Sequence, residues 1–283
     1  TVPDESLSFS ELDRRSAALA RGLIARGVGK GTRVGYIYGN GPSFAVMLGA
    51  IARIGAIAIP ISTLIKSNEL VRVLRQSDVS GLIVQRKLLG HDYVDRLCEA
   101  LPDLRKTDSP DLRLSKAPFL RWIVSTGGSL PPSFRDMNFF TEAAGSVSEQ
   151  LLADVESEVH PMDQMIEIYT SGSMALPKGV KHNHGPVLFR AQYIGKMAGV
   201  ERGKETMVWL PMFWVGGLMG VLSLLTISLP PHAWQHLRLI VRGESQGRSF
   251  EASISNGRTA GLRLGRGFSF GETCTFSERH VYV

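Results

Sequence analysis

Strand-length apolar runs alternate with helix-length segments along most of this chain, and this alternation constrains the fold more than any other feature. The predicted strands cover residues 33–38, 57–61, 82–84, 121–125 and 165–169. One predicted helix begins at the capping sequence Ser10-Glu11-Leu12-Asp13 and another begins at Ser67. Two more predicted helices cover residues 44–54 and about 185–199. Such alternation is typical of parallel strands joined by crossover helices. The sequence therefore predicts an α/β fold of layered, mostly parallel sheets flanked by helices, with a polar loop at residues 102–118.

The composition is that of a folded globular chain without a nucleic-acid-binding surface. Hydrophobic residues make up 43% of the 283 residues and charged residues 20%, which excludes a disordered chain. The formal net charge is +6, but the lysines and arginines are scattered and form no run that could follow a phosphate backbone. Nucleic acid is therefore not a predicted partner, whereas small phosphate-bearing ligands remain compatible with the charge.

An uncharged apolar run at residues 206–234 is long enough to be considered as a membrane span. Pro211, the Gly216-Gly217 pair and the Pro230-Pro231 pair interrupt it, so no stable span is predicted, and membrane attachment is kept as an alternative. No signal peptide precedes the first predicted helix, and the two cysteines have no C-x-x-C spacing. These features predict a cytoplasmic protein without a cysteine-based metal site.

A loop rich in hydroxyl groups and glycine follows the last predicted strand and contains the candidate ligand-binding residues. It reads Ile168-Tyr169-Thr170-Ser171-Gly172-Ser173-Met174-Ala175-Leu176-Pro177-Lys178-Gly179-Val180. Small residues let backbone N–H groups approach a polyphosphate, hydroxyl groups can donate to phosphate oxygens, and Lys178 adds a positive charge. Pro177 stands where a Walker A loop has its second glycine, which excludes that motif. The pattern predicts phosphate binding, and an ordinary surface loop is the alternative.

This stretch resembles Y-T-S-G-[ST]-T-G-x-P-K-G-V, the phosphate-binding signature of the adenylate-forming superfamily. That superfamily includes acyl-CoA synthetases, peptide-synthetase adenylation domains and luciferases. Met174 and Ala175 depart from the signature, and the loss of its threonine removes one hydroxyl group. The resemblance implies that ATP is bound by Thr170, Ser171, Gly172, Ser173, Lys178 and Gly179.

Further segments between residues 7 and 225 resemble the same superfamily. Asn40-Gly41-Pro42 resembles its N-x-P segment, and Leu210-Pro211-Met212-Phe213-Trp214-Val215-Gly216-Gly217 resembles its L-P-x-F-H-x-x-G block. The resemblance implies that Phe213, Trp214 and Gly216 line the acid site, together with His184, which follows P-K-G-V. Trp214 replaces a histidine but keeps an aromatic ring, which favours a fatty or aryl acid as the substrate.

The implied function is activation of a carboxylic acid by ATP through an acyl-adenylate, followed by transfer to the thiol of CoA. The family's Y-G-x-T-E motif, whose glutamate binds Mg²⁺, is not found here, and neither is its C-terminal catalytic lysine. We therefore assign no catalytic residue and no metal ligand, and we expect an incomplete, inactive ligase. The alternative is a non-catalytic fragment that binds a nucleotide or is inert.

The composition changes near residue 229, and two regions are predicted from it. Residues 1–228 would form a partial AMP-binding N-terminal domain. Residues 229–283 contain arginine but neither lysine nor aspartate, and their glycines follow no helical or strand period. We interpret this stretch as an atypical tail, either frameshifted or non-homologous, that packs poorly.

Overall fold

The computed structural model describes residues 7–170, 177–201, 206 and 208–228. Its strands are β1 (Arg33–Ile37), β2 (Ile57–Pro60), β3 (Gly81–Val84), β4 (Lys87–Leu88), β5 (His91–Asp92), β6 (Trp122–Ser125), β7 (Gln164–Thr170) and β8 (Lys178–Asn183). Six of them form one sheet in the order β6-β3-β1-β2-β7-β8, while β4 and β5 pair as a small hairpin. All neighbours up to β7 run parallel, and β8 runs antiparallel to β7.

Helices cover both faces of this sheet. They are α1 (Phe9–Ala25), α2 (Pro42–Arg53), α3 (Ser67–Gln76), α4 (Tyr93–Ala100), α5 (Asn138–Ala144), α6 (Glu149–Ser157), α7 (His184–Met197) and α8 (Val215–Ser228). One buried cluster joins the sheet to α1, α2, α7 and α8, and a second joins its other face to α3 and α4. The predicted α/β class with layered, mostly parallel strands is therefore confirmed.

Three local predictions differ from the structure. Helix α1 is capped by Ser8, whose hydroxyl accepts from the Glu11 N–H at 3.2 Å, so the predicted cap at Ser10 was wrong. A 3-10 turn at Pro102–Arg105 opens the predicted loop at residues 102–118. Strand β8 was not predicted, because its residues, none of them buried, include no apolar run. Its position at the sheet edge removes the need for burial on both faces.

Helices α7 and α8 approach each other closely at Gly195. A Cβ atom placed there would lie 2.8 Å from the Cβ atom of Ser223, so a larger residue does not fit. The Ser223 hydroxyl also donates to the Ala191 carbonyl at 2.6 Å. Because α7 follows β8 directly, this packing links α8 through α7 to the hairpin that β7 and β8 form.

Among the described residues, no helix is both long enough and apolar enough to cross a membrane. Helix α8 covers only 14 residues of the apolar run at 206–234. The remainder of that run beyond residue 228 lies outside the described residues.

Candidate nucleotide and acid site

The β7–β8 hairpin holds the two ends of the predicted phosphate loop together. Thr170, the last residue of β7, pairs with Lys178, the first residue of β8. The Thr170 hydroxyl donates to the Lys178 carbonyl at 3.4 Å, and both side chains are exposed. The predicted ligands Ser171, Gly172 and Ser173 lie outside the described residues. The hairpin therefore presents the Thr170 and Lys178 side chains at one sheet edge, where the ammonium group suits an anionic ligand.

Strand β7 of this hairpin contributes a buried carboxylate. Glu167 is 4% exposed, and its Oε1 atom accepts a hydrogen bond from the Tyr169 hydroxyl at 2.9 Å. A Cβ atom at Gly179 would lie 2.1 Å from the same oxygen. Burial, and then the bond to Glu167, raises the pKa of Tyr169, which keeps this phenol protonated as the donor. Gly179 therefore leaves the space that the Glu167 carboxylate occupies.

His184 lies in the interior at the start of α7. Its backbone N–H donates to the Asp163 carbonyl at 3.0 Å, and the Gly185 N–H donates to the Pro161 carbonyl at 2.8 Å. The imidazole is fully buried, and neither ring nitrogen has a hydrogen-bond partner. Burial lowers the pKa of His184 to about 4, which the nearby Asp163 carboxylate only partly opposes. The side chain is therefore neutral at physiological pH, and its role in binding the acid stays a prediction.

The second predicted group lies in the tight turn before α8. Phe213 is 5% exposed and Trp214 is 39% exposed, and their rings meet edge to face with centroids 5.3 Å apart. A Cβ atom at Gly216 would lie 2.6 Å from the Cδ1 atom of Leu210. The turn is therefore closely packed on one side, while the indole ring of Trp214 remains accessible on the other.

Asn40 holds this turn from a distant part of the chain. Its Nδ2 atom donates to the Leu210 carbonyl at 2.9 Å, and its Oδ1 atom accepts from the Met212 N–H at 2.8 Å. From the sequence, Asn40 was noted for the resemblance of Asn40-Gly41-Pro42 to the N-x-P segment. Neither this clamp nor the Glu167 contact was predicted, although a glutamate within the apolar strand β7 was a signal that could have been followed.

The described residues contain no group of three or more His, Cys, Asp or Glu side chains that could hold a metal ion. Because Mg²⁺ is usually held by one or two carboxylates and the phosphates of a nucleotide, we derive no step through that ion.

Curated relatives of this chain are acyl-CoA ligases and synthetases. The Bacillus subtilis (strain 168) protein YngI, which is named as an acyl-CoA synthetase, is 26% identical over 232 residues, or 80% of this chain and 42% of YngI. The mitochondrial medium-chain acyl-CoA ligase ACSF2 of Danio rerio is 24% identical over 205 residues, or 72% of this chain and 34% of ACSF2. The chain thus spans less than half the length of either relative.

Solved structures share the fold. The anthranilate CoA ligase AuaEII, solved in complex with anthranoyl-AMP, matches with a TM-score of 0.61 at 22% identity over 80% of this chain and 40% of its own. The inhibitor-bound N-terminal domain of FACL13 from Mycobacterium tuberculosis matches with a TM-score of 0.57 at 21% identity over 78% of this chain and 50% of its own. The AMP-binding enzyme model matches residues 2–235, which confirms the predicted resemblance. This chain belongs to the family of AMP-binding enzymes.

Proposed function

We propose that this chain supplies the polyphosphate-binding hairpin and part of the acid site of an ATP-dependent acid–CoA ligase. The observation that carries the proposal is the pairing of Thr170 with Lys178 at the two ends of a loop rich in hydroxyls and glycine. The names of the relatives support an acyl acid as the substrate and CoA as the thiol acceptor.

In the proposed reaction, a carboxylate oxygen of the acid attacks the α-phosphorus of ATP. The new O–P bond forms as the bond to pyrophosphate breaks, and negative charge develops on the leaving group. The Lys178 ammonium would bind that charge, assisted by Ser171 and Ser173 and by backbone N–H groups of the loop. The Thr170 hydroxyl would join them by exchanging its hydrogen bond to the Lys178 carbonyl for one to a phosphate oxygen. The CoA thiol would then displace AMP from the acyl-adenylate.

The acid would lie against the aromatic pair before α8. Trp214 offers an accessible ring, Phe213 contacts it from the interior, and Gly216 lets the Leu210 side chain pack closely against the turn. His184 would contribute a neutral, buried wall. An apolar aromatic surface favours a fatty or aryl acid over a charged one.

We further propose a partial N-terminal domain at residues 1–228 and an atypical tail at residues 229–283; the family match ends at residue 235, seven residues beyond this boundary. Limited proteolysis tests this boundary. We expect cleavage after residue 228 while residues 7–225 remain intact; equal resistance of both regions would contradict the proposed tail.

Replacing Lys178 by alanine should weaken ATP binding about 10-fold or more, because a charge-assisted contact to phosphate is lost. Lys181→Ala is the matched control, since Lys181 is also an exposed lysine of β8 and stands in strand register with Glu167. Side chains alternate between the two faces of a strand, so Lys181 lies on the other face of the hairpin from Lys178. Isothermal titration with ATP would measure both variants, and equal weakening by both would argue against a specific role for Lys178.

The second candidate function is a non-catalytic chain that binds a nucleotide. It requires only the hairpin that places Thr170 beside Lys178, because a nucleotide can be bound without a group that catalyses its reaction. Exchange of labelled pyrophosphate into ATP, with a pool of carboxylic acids, separates the two functions. Exchange that Lys178→Ala abolishes supports the ligase, whereas ATP binding without exchange supports the second candidate.

A further inference from the structure

The Asn40 side chain joins two segments that lie far apart in the sequence. It follows β1, and its amide contacts the backbone on both sides of Pro211, 2.9 Å from the Leu210 oxygen and 2.8 Å from the Met212 nitrogen. A carboxamide is both a donor and an acceptor, so one side chain fixes two neighbouring peptide groups at once. Aspartate has the same shape but cannot donate to the Leu210 carbonyl.

The backbone held by Asn40 leads directly to the aromatic pair. The Trp214 N–H donates to the Pro211 carbonyl at 3.0 Å, and the Leu218 N–H donates to the Trp214 carbonyl at 2.9 Å. A Cβ atom at Gly217 would lie 2.2 Å from the Pro211 oxygen, so this turn has no spare space. A shift of the peptide groups around Pro211 is therefore passed on to the backbone of Trp214.

We propose that Asn40 is a positioning residue of the acid site, which sets the place of the Trp214 ring and thereby the acids that fit against it. This inference rests on the proposed function for its substrate, but the placement of the Trp214 ring does not depend on any ligand. Asn40 touches neither the acid nor ATP in this role; it acts only through the turn around Pro211.

The test uses the full chain labelled with 5-fluorotryptophan, with the Trp214 resonance identified by Trp214→Phe. In Asn40→Asp and Asn40→Ala we expect the ¹⁹F resonance of Trp214 to shift or broaden, while that of the core residue Trp122 stays in place. Asn68→Asp is the matched control, because Asn68 is exposed on α3, and it should change neither resonance. An unchanged Trp214 resonance in both Asn40 variants would overturn the proposal. Equal movement of both resonances would also overturn it, since that indicates a general structural role.

Pyrophosphate exchange gives the functional readout. We expect Asn40→Asp to raise the KM for the acid about 10-fold and to leave the KM for ATP unchanged, because the variant loses one partly buried hydrogen bond and places a carboxylate against the Leu210 carbonyl. A parallel rise in both KM values would contradict a role confined to the acid site. If the unsubstituted chain shows no exchange, the proposed ligase function fails, and the ¹⁹F spectra still decide the role of Asn40.

Discussion

Replacing Arg53 by methionine should lower the free energy of unfolding by about 3–5 kcal/mol, because the variant leaves a buried carboxylate without this cation. The Arg53 Nε atom lies 2.5 Å from Glu156 Oε1, and the two side chains are 14% and 4% exposed. The same guanidinium donates to the Ser16 hydroxyl at 2.8 Å and to the Asp13 carboxylate at 3.0 Å. Arg53 thereby joins α1, α2 and α6, and urea unfolding would measure the loss.

Arg105→Met is the control for this prediction, since Arg105 forms an exposed ion pair with Asp95. Exposed pairs contribute little, so this variant should unfold at nearly the same urea concentration as the original chain. The double variant Arg53→Met/Glu156→Met should recover much of the lost stability, because neither charge of this pair remains in the interior. Equal effects of Arg53→Met and Arg105→Met would show that the Arg53 pair has no special importance.

Stability should fall as the pH is lowered, and protonation of His184 should account for about 2 kcal/mol of the loss between about pH 7 and pH 5. Burial depresses the pKa of this imidazole from 6.5 to about 4 in the folded chain. Between these two values the unfolded chain binds more protons than the folded chain, so the free energy of unfolding rises with pH in that window. Urea unfolding at the two pH values would measure the difference.

His184→Gln should reduce this pH dependence by about 2 kcal/mol, because glutamine does not titrate. His160→Gln is the matched control: the His160 side chain is exposed, and its contact with Asp163 is made by the backbone N–H. The control should keep the pH dependence of the original chain. A dependence that His184→Gln leaves intact would show that other groups cause the acid instability.

Much of the fold could be predicted because the central strands are buried on both faces. β3 is an apolar run with every residue buried, and β2 is similar, so composition and length alone identified them. β8 was not predicted because an edge strand does not require a run of apolar residues. Its lysines oppose pairing of this edge with a strand of another chain. The start of α1 shifted to Ser8 because Ser8 and Ser10 are chemically equivalent caps, and only the backbone geometry decides between them.

The candidate site was predicted less completely, since its geometry depends on contacts between distant residues. Local composition identified Thr170 and Lys178, but their pairing requires the unpredicted strand β8. The clamp from Asn40 to Leu210 joins residues 170 positions apart, so no local sequence pattern indicates it. Glu167 could be noticed in the sequence as a charge within an apolar strand, but its place beside Gly179 is set by strand register.

Titration of the chain with inorganic pyrophosphate, followed by calorimetry, tests the central claim most directly, because the claim assigns the β7–β8 hairpin to the phosphates and not to the adenine or ribose. We expect pyrophosphate and ATP to compete for one site, both to bind about 10-fold more weakly in Lys178→Ala, and AMP to be unaffected by that substitution. Pyrophosphate binding that Lys178→Ala leaves unchanged, or ATP binding that pyrophosphate does not displace, would contradict the assignment of the β7–β8 hairpin as a polyphosphate site.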